Sequence, residues 1–176
     1  MLFKNSLEMI RIRKANEADY PTVIGLVERA FRNVHDSGHL SLTELRDSEF
    51  FMPELSIVAE IDGHKIVGYI LLIKVSINGT PSLGLAQVAV APEYQELGIG
   101  TLLLNQAHQK ARELGYGSVI SLGCKRFLSK FGYHIVADFG IHFPYGVVQD
   151  QCLALELYPG ALDEVQGLVG FPLEYM

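Results

Sequence analysis

Residues Leu85–Leu104 read LAQVAVAPEYQELGIGTLLL. A short apolar strand leads into a proline-containing turn, then two glycines one residue apart, then a helical run. That order sets a row of main-chain N–H groups at a helix start, where no carbonyl of the helix can take them, and makes a ready site for phosphate. Three glycine turns bind phosphate, and they differ in spacing. A Walker loop needs Lys after its last glycine, and none follows Gly100. A dinucleotide fingerprint needs a third glycine where Leu103 stands and an acid ending the next strand, where Gly123 stands. The third pattern, Q/R-x-x-G-x-G/A, is met in full by Gln95-Glu96-Leu97-Gly98-Ile99-Gly100. Gly98 and Gly100 would let a pyrophosphate approach the main chain, N–H groups from Gln95 to Thr101 would bind it, and Thr101 could add its hydroxyl. The plain alternative is that the glycines only permit a tight strand-to-helix turn.

The chain has 176 residues, 49% hydrophobic and 19% charged, enough to bury one core and too apolar for general disorder. A net charge of -6 argues against a general nucleic-acid binder. The two cysteines, Cys124 and Cys152, form no C-x-x-C pair, so neither a zinc site nor a disulfide framework is expected. The first residues, MLFKNSLEMIRIRK, lack the apolar run of a signal peptide, and no stretch reaches the roughly 18 apolar residues of a membrane span. The expectation is a cytoplasmic protein with no metal, nucleic-acid or membrane partner.

Outward from the glycine turn, periodicity predicts one α+β domain over residues 1–176, with 1–8 a loose lead-in and 158–176 an irregular tail. Met9–Lys14 reads as a half-buried strand. Asn16 is an N-cap for a helix over Glu17–Arg32, with Val23, Ile24, Val27, Ala30 and Phe31 as its buried stripe. Asn33–Leu40 is a polar loop. Ser41-x-x-Glu44 is a capping box opening a short helix to about Ser48, and Pro53 ends what remains of it. Ser56–Ile61, Lys65–Ile77 and Leu85–Val90 are antiparallel strands joined by the hairpin signals Asp62-Gly63 and Asn78-Gly79. A helix runs from the glycines to Leu114 with Leu103, Ala107, Ala111 and Leu114 inward. Ser118–Leu122 then closes a parallel crossover unit. Arg126–Phe131 makes helical turns ended by Gly132, and Tyr133–Ala137 and Gln151–Leu157 are the closing strands, with Phe139–Val148 the long connection between them.

The segments Val58–Gly68 (VAE-x-DG-x-x-x-G), Leu85–Leu104, Ala111–Tyr116 (ARELGY) and Lys130–Tyr133 (KFGY) resemble the GNAT superfamily of acyl-CoA N-acyltransferases, and within it the YhbS-like group. The resemblance spans Met9 to Leu157. It implies the GNAT fold: a mixed central sheet of about 6–7 strands, splayed between Leu85–Val90 and Ser118–Leu122, with about four flanking helices. It also implies acetyl-CoA (coenzyme A) as cosubstrate, its pantetheine beside Val88, Ala89 and Val90 and its pyrophosphate on Gln95, Glu96, Leu97, Gly98, Ile99, Gly100 and Thr101. A main-chain N–H would polarise the thioester carbonyl. A primary amine, on a small molecule or a protein, would attack directly in a ternary complex. The acceptor site would be built from Asn33–Ser48 and Phe139–Val148, and the family admits a homodimer.

The sequence departs from the family where a tyrosine often serves as thiol acid. Four residues before Gly132 stands Leu128, beside Phe127, and neither donates a proton. Tyr133 falls where an apolar aromatic is usual and is expected in the core. Cys124 is expected to be a buried, inert thiol rather than a nucleophile. Glu60 is a candidate base, with a solvated strand-end carboxylate as the alternative. His35 and His39 are candidates for the acceptor side or carry no catalytic role, and His108 and His134 read as surface or satisfied structural residues. The missing tyrosine leaves a second function open, a non-catalytic acyl-CoA-binding module.

Overall fold

A computed structural model describes residues 9–30, 41–144 and 149–170. The lead-in before Met9, the loop with His35 and His39, part of the connection before Gln149 and the last six residues fall outside the described residues. The rest forms nine strands and four α-helices. It resolves into two compact units, Met1–Leu72 with Ala86–Lys110, and Ile73–Leu85 with Ala111–Met176.

In the first unit, β1 (Arg11–Lys14) pairs antiparallel with β2 (Ser56–Ile61), from Arg11↔Glu60 to Lys14↔Ile57. β2 in turn pairs with β3 (Lys65–Ile77) through an Asp62-Gly63 turn. Both turn residues have positive φ, 53° and 72°, as the type I′ hairpin requires. β2 is buried at every position, which marks a strand covered on both faces.

Asn16 caps the next segment as expected, taking the Ala18 N–H while Asp19 reaches back to the Asn16 N–H. The first turn is 3₁₀, Glu17–Asp19, and α1 proper is Tyr20–Ala30. Its buried line is Tyr20, Val23 and Leu26, with Ile24, Val27 and Ala30 at its margins. Phe31 and Arg32, the end of the predicted helix and stripe, lie outside the described residues. α2 (Leu42–Asp47) opens on the Ser41/Glu44 capping box. It ends at Ser48, and Pro53 starts a separate 3₁₀ turn, the first-turn position proline favours.

β4 spans Thr80–Val90, starting ahead of the expected Leu85. Pro81 lies near the strand's start, where its missing N–H is tolerated. α3 (Ile99–Glu113) buries Ile99, Leu103, Leu104, Ala107 and Ala111. Leu114 lies past its end, before Gly115 at φ 85°, and is exposed rather than inward.

In the second unit, β5 (Ser118–Leu122) runs parallel to β4 over Leu83↔Val119, Gly84↔Ile120 and Leu85↔Ser121. The ladder stops there, while β4 continues to Val90. α4 (Lys125–Leu128) and a 3₁₀ turn end at Gly132, φ 88°. The expected strand Tyr133–Ala137 shrinks to β6 (His134–Ile135), because the chain turns at once into a 3₁₀ segment, Val136–Phe139, closed by Gly140 at φ 68°. β7 (Ile141–His142) lies within the expected long connection. β8 (Cys152–Glu156) pairs antiparallel with β5 and β6. The stretch read as an irregular tail carries β9 (Gly167–Gly170), which joins the far end of β3 at Ile77↔Val169 and runs parallel to β7. These two short strands raise the count above the expected 6–7.

Candidate active site

The glycine turn follows directly from its local chemistry. After β4, Ala91 donates to the Val67 carbonyl at 2.8 Å, tying the strand end to β3. Pro92–Tyr94 makes a 3₁₀ turn whose Tyr94 N–H returns to Ala91. Gln95 Nε2 reaches back to the Val90 carbonyl at 3.0 Å, so its amide braces the turn against the strand it leaves. Glu96 adopts φ 62° and Gly98 φ 84°, the left-handed region that favours glycine.

The first bond of α3 runs from Leu102 N–H to Gly98 O at 3.1 Å. The N–H groups of Ile99, Gly100 and Thr101 precede it and have no carbonyl within the helix. A Cβ on Gly98 would meet nothing within 4 Å. Open space, a positive helix end and those N–H groups fit a pyrophosphate. The two glycines are also separable. Backbone geometry demands Gly98. Gly100 sits inside α3 without positive φ, so a tight turn alone does not account for it.

Val88, Ala89 and Val90 form the last residues of β4, Ala89 buried and both valines half-buried. They share the first unit with the turn, and all of Val88–Thr101 lies there. Beneath them α3 seats on β3 at Gly68, where a Cβ would stand 2.9 Å from Leu103 Cδ1 and 3.0 Å from Ile99 Cγ2.

Glu60 is neither a solvated carboxylate nor an unengaged base. It is 6% exposed, and its Oε2 accepts from Arg13 Nε at 3.0 Å and Nη2 at 2.6 Å. Arg13 also grips Asp19 at 2.7 and 3.0 Å, and that pairing holds the Asp19 carboxyl below its usual range. The three residues form an ion cluster joining β1, β2 and the turn before α1.

The second unit holds the other candidates except His108, which lies in the first. Leu128 is fully buried, in the place where the family often has a tyrosine. Tyr133 is 3% exposed, and burial pushes its phenol's pKa upward, in keeping with a core ring. Cys124 is exposed, contrary to the buried thiol expected: it occupies a left-handed position, φ 56°, at the start of α4, which turns it outward. Crowding by neighbouring atoms still raises its thiol pKa, the opposite of what a nucleophile needs. Cys152 is buried and is pushed up to about 11 by desolvation and by Asp150. His108 is buried within α3, and His134 is exposed beside Phe139.

One cluster escapes sequence reading. Tyr20 Oη, Ser56 Oγ and Tyr69 Oη form a buried chain with both links at 2.9 Å. Arg46 Cζ lies 3.4 Å from the centre of the Tyr20 ring. These residues come from α1, β2, β3 and α2 and share no motif.

Among the described residues no group of His, Cys, Asp or Glu could hold a metal ion, and no helix is long and apolar enough to cross a membrane. The chain is 26% identical over 162 residues to the uncharacterized N-acetyltransferase YhbS of Escherichia coli K12, covering 91% of this chain and 95% of that protein. The crystal structure of Escherichia coli YhbS in complex with CoA superposes with a TM-score of 0.85 at 25% identity, over 95% of this chain and 92% of that one. A Brucella melitensis GNAT acetyltransferase in complex with acetyl-CoA gives 0.74 at 26% identity, over 95% and 98%. The sequence pattern of the acetyltransferase (GNAT) family matches residues 19–133, and the chain belongs to that family.

Proposed function

We propose that the protein transfers an acetyl group from acetyl-CoA to a primary amine by direct attack in a ternary complex. The observation that carries this reading is the turn at Gly98 leading into α3, where the N–H groups of Ile99, Gly100 and Thr101 have no carbonyl within the helix. The CoA and acetyl-CoA complexes of the two similar structures support it. In this reading the pyrophosphate lies on Gln95–Thr101. The pantetheine lies along Val88–Val90, where β4 has outrun its ladder with β5. A main-chain N–H of that strand end would meet the thioester oxygen as charge builds on it. The ammonium gives a proton to water, and the free amine attacks the carbonyl carbon. The C–S bond breaks, CoA leaves as thiolate, and the nitrogen sheds its second proton to leave a neutral amide. Holding amine and thioester together supplies much of the rate.

Leu128 favours a second reading, a module that binds acyl-CoA without turning it over. Two measurements separate them: calorimetric titration with acetyl-CoA, and release of CoA thiol with a panel of primary amines. Binding with amine-dependent thiol release is expected. Binding with no amine above background hydrolysis would move the assignment to the sensing module. No binding would remove both.

A further inference from the structure

We propose that Arg46 is the recognition point for a carboxylate carried by the amine acceptor, so that the substrate is an amino acid or another zwitterionic amine. The inference rests on the acetyltransferase reading above and deepens it by naming the acceptor class. Arg46 sits on α2, its side chain 22% exposed, with the guanidinium stacked on Tyr20. Its Nη2 donates to Glu17 Oε2 at 2.7 Å. Its Nε is shielded from solvent and, among the described residues, has no hydrogen-bond partner. A buried donor left unpaired is costly and calls for a partner in the working state.

Nε and Nη2 together are the side-on fork that takes both oxygens of a carboxylate. Glu17 uses half of it. The Glu17 side chain is 87% exposed, so it is held weakly and can be displaced at little cost. It stands where an incoming carboxylate would bind, with the second donor still unused.

The cluster also lies on the correct side of the sheet. Tyr20, Ser56 and Tyr69 connect the Arg46 stack to β3 by hydrogen bonds. On β3, Val67 receives the Ala91 N–H, so two residues further along this antiparallel pair Tyr69 runs alongside about Val88 and Ala89. The guanidinium is therefore linked, through Tyr20 and Ser56, to Tyr69, whose strand runs beside the stretch of β4 assigned to the thioester. Stacking and the buried hydroxyl chain hold it rigid, as a recognition group must be.

The experiment compares each of several amino acids with its decarboxylated amine, lysine with cadaverine and phenylalanine with phenethylamine among them, by thiol release at saturating acetyl-CoA. In the wild type, kcat/KM should favour the carboxylated member by at least about tenfold, as expected for hydrogen bonds to a charged group. Arg46→Met should erase that preference by lowering the carboxylated member alone, while Arg46→Lys, a point charge without the fork, should restore part of it. Glu17→Ala should lower KM for the carboxylated member several-fold and leave the other unchanged. Equal use of both members by the wild type, or an equal loss on both in Arg46→Met, would assign Arg46 to structure and overturn the proposal. Calorimetric binding of acetyl-CoA to Arg46→Met, expected unchanged, tells failure of this inference from failure of the cofactor reading.

Discussion

Ile99, the first residue of α3, places its Cγ2 3.0 Å from where a Cβ on Gly68 would stand. A missing side chain on β3 thereby sets how closely the helix that starts the phosphate turn can approach the sheet. The contact has three walls, since Leu103 Cδ1 lies at 2.9 Å and Ala59 Cβ at 3.3 Å from the same point. Ile99 and Leu103 are buried, so neither side chain can swing into solvent to make room. Gly68→Val should lower stability by about 1–3 kcal/mol through overpacking, read by urea denaturation. It should also weaken acetyl-CoA binding, because the helix start is pushed off its seat. Loss of stability with unchanged affinity would show that the turn keeps its geometry independently of that seat.

The two glycines of the turn should respond differently to a β-branched residue. At Gly98 a valine must adopt φ 84°, which costs of order 1–3 kcal/mol, so stability and binding should fall together. At Gly100 the backbone is helical, and leaving glycine should raise helix propensity by a few tenths of a kcal/mol. Gly100→Val should therefore melt no lower than the wild type yet lose acetyl-CoA binding in calorimetry. A Gly100→Val variant that binds normally would sink the phosphate assignment.

The parts of this fold that were readable from sequence are those built by neighbours along the chain. Asp62-Gly63 and Asn78-Gly79 fix their hairpins by positive φ, and Ser41 with Glu44 closes its own helix start. The glycine turn is of the same kind. What could not be read depends on residues far apart in sequence. Glu60 looks like an exposed strand end until Arg13, 47 positions away, is seen to bind it. Val169 reads as tail until Ile77 is seen to pair with it. The Tyr20–Ser56–Tyr69 chain is invisible for the same reason, since hydroxyls carry no periodicity. Cys124 reads as buried from its residue type, yet it is exposed, at a left-handed position before α4 that no local pattern announces.

The ion cluster makes stability depend on acid in a defined direction. Arg13 holds the Asp19 carboxyl below its ordinary value, so the folded state binds that proton less tightly than the unfolded state. The resulting stabilisation is complete above the unfolded pKa of about 3.9 and is lost as pH falls through the folded value. Asp19→Asn should lower stability at neutral pH and flatten the acid limb of stability against pH below about 4, followed by chemical denaturation. Arg13→Met should cost more, about 3 kcal/mol, because it leaves two largely buried carboxylates without their cation. Parallel acid limbs in Asp19→Asn and wild type would show that the pair carries no linkage.

Leu128 tests whether the family's tyrosine can simply be put back. The side chain is fully buried at the end of α4, so a phenol placed there must fit into a filled core and bury its hydroxyl. Overpacking and an unpaired hydroxyl each cost about 1–3 kcal/mol, so Leu128→Tyr should melt lower than the wild type. With the hydroxyl directed into apolar surroundings, kcat in the thiol-release assay should not rise. The reason is positional: a group that donates a proton to a departing thiolate must reach it, and a residue wholly inside the core does so only if α4 moves. A large rise in kcat at preserved acetyl-CoA affinity would show the reverse, that the helix readily turns this position toward the cofactor and that the lost proton donor is what limits the wild-type rate.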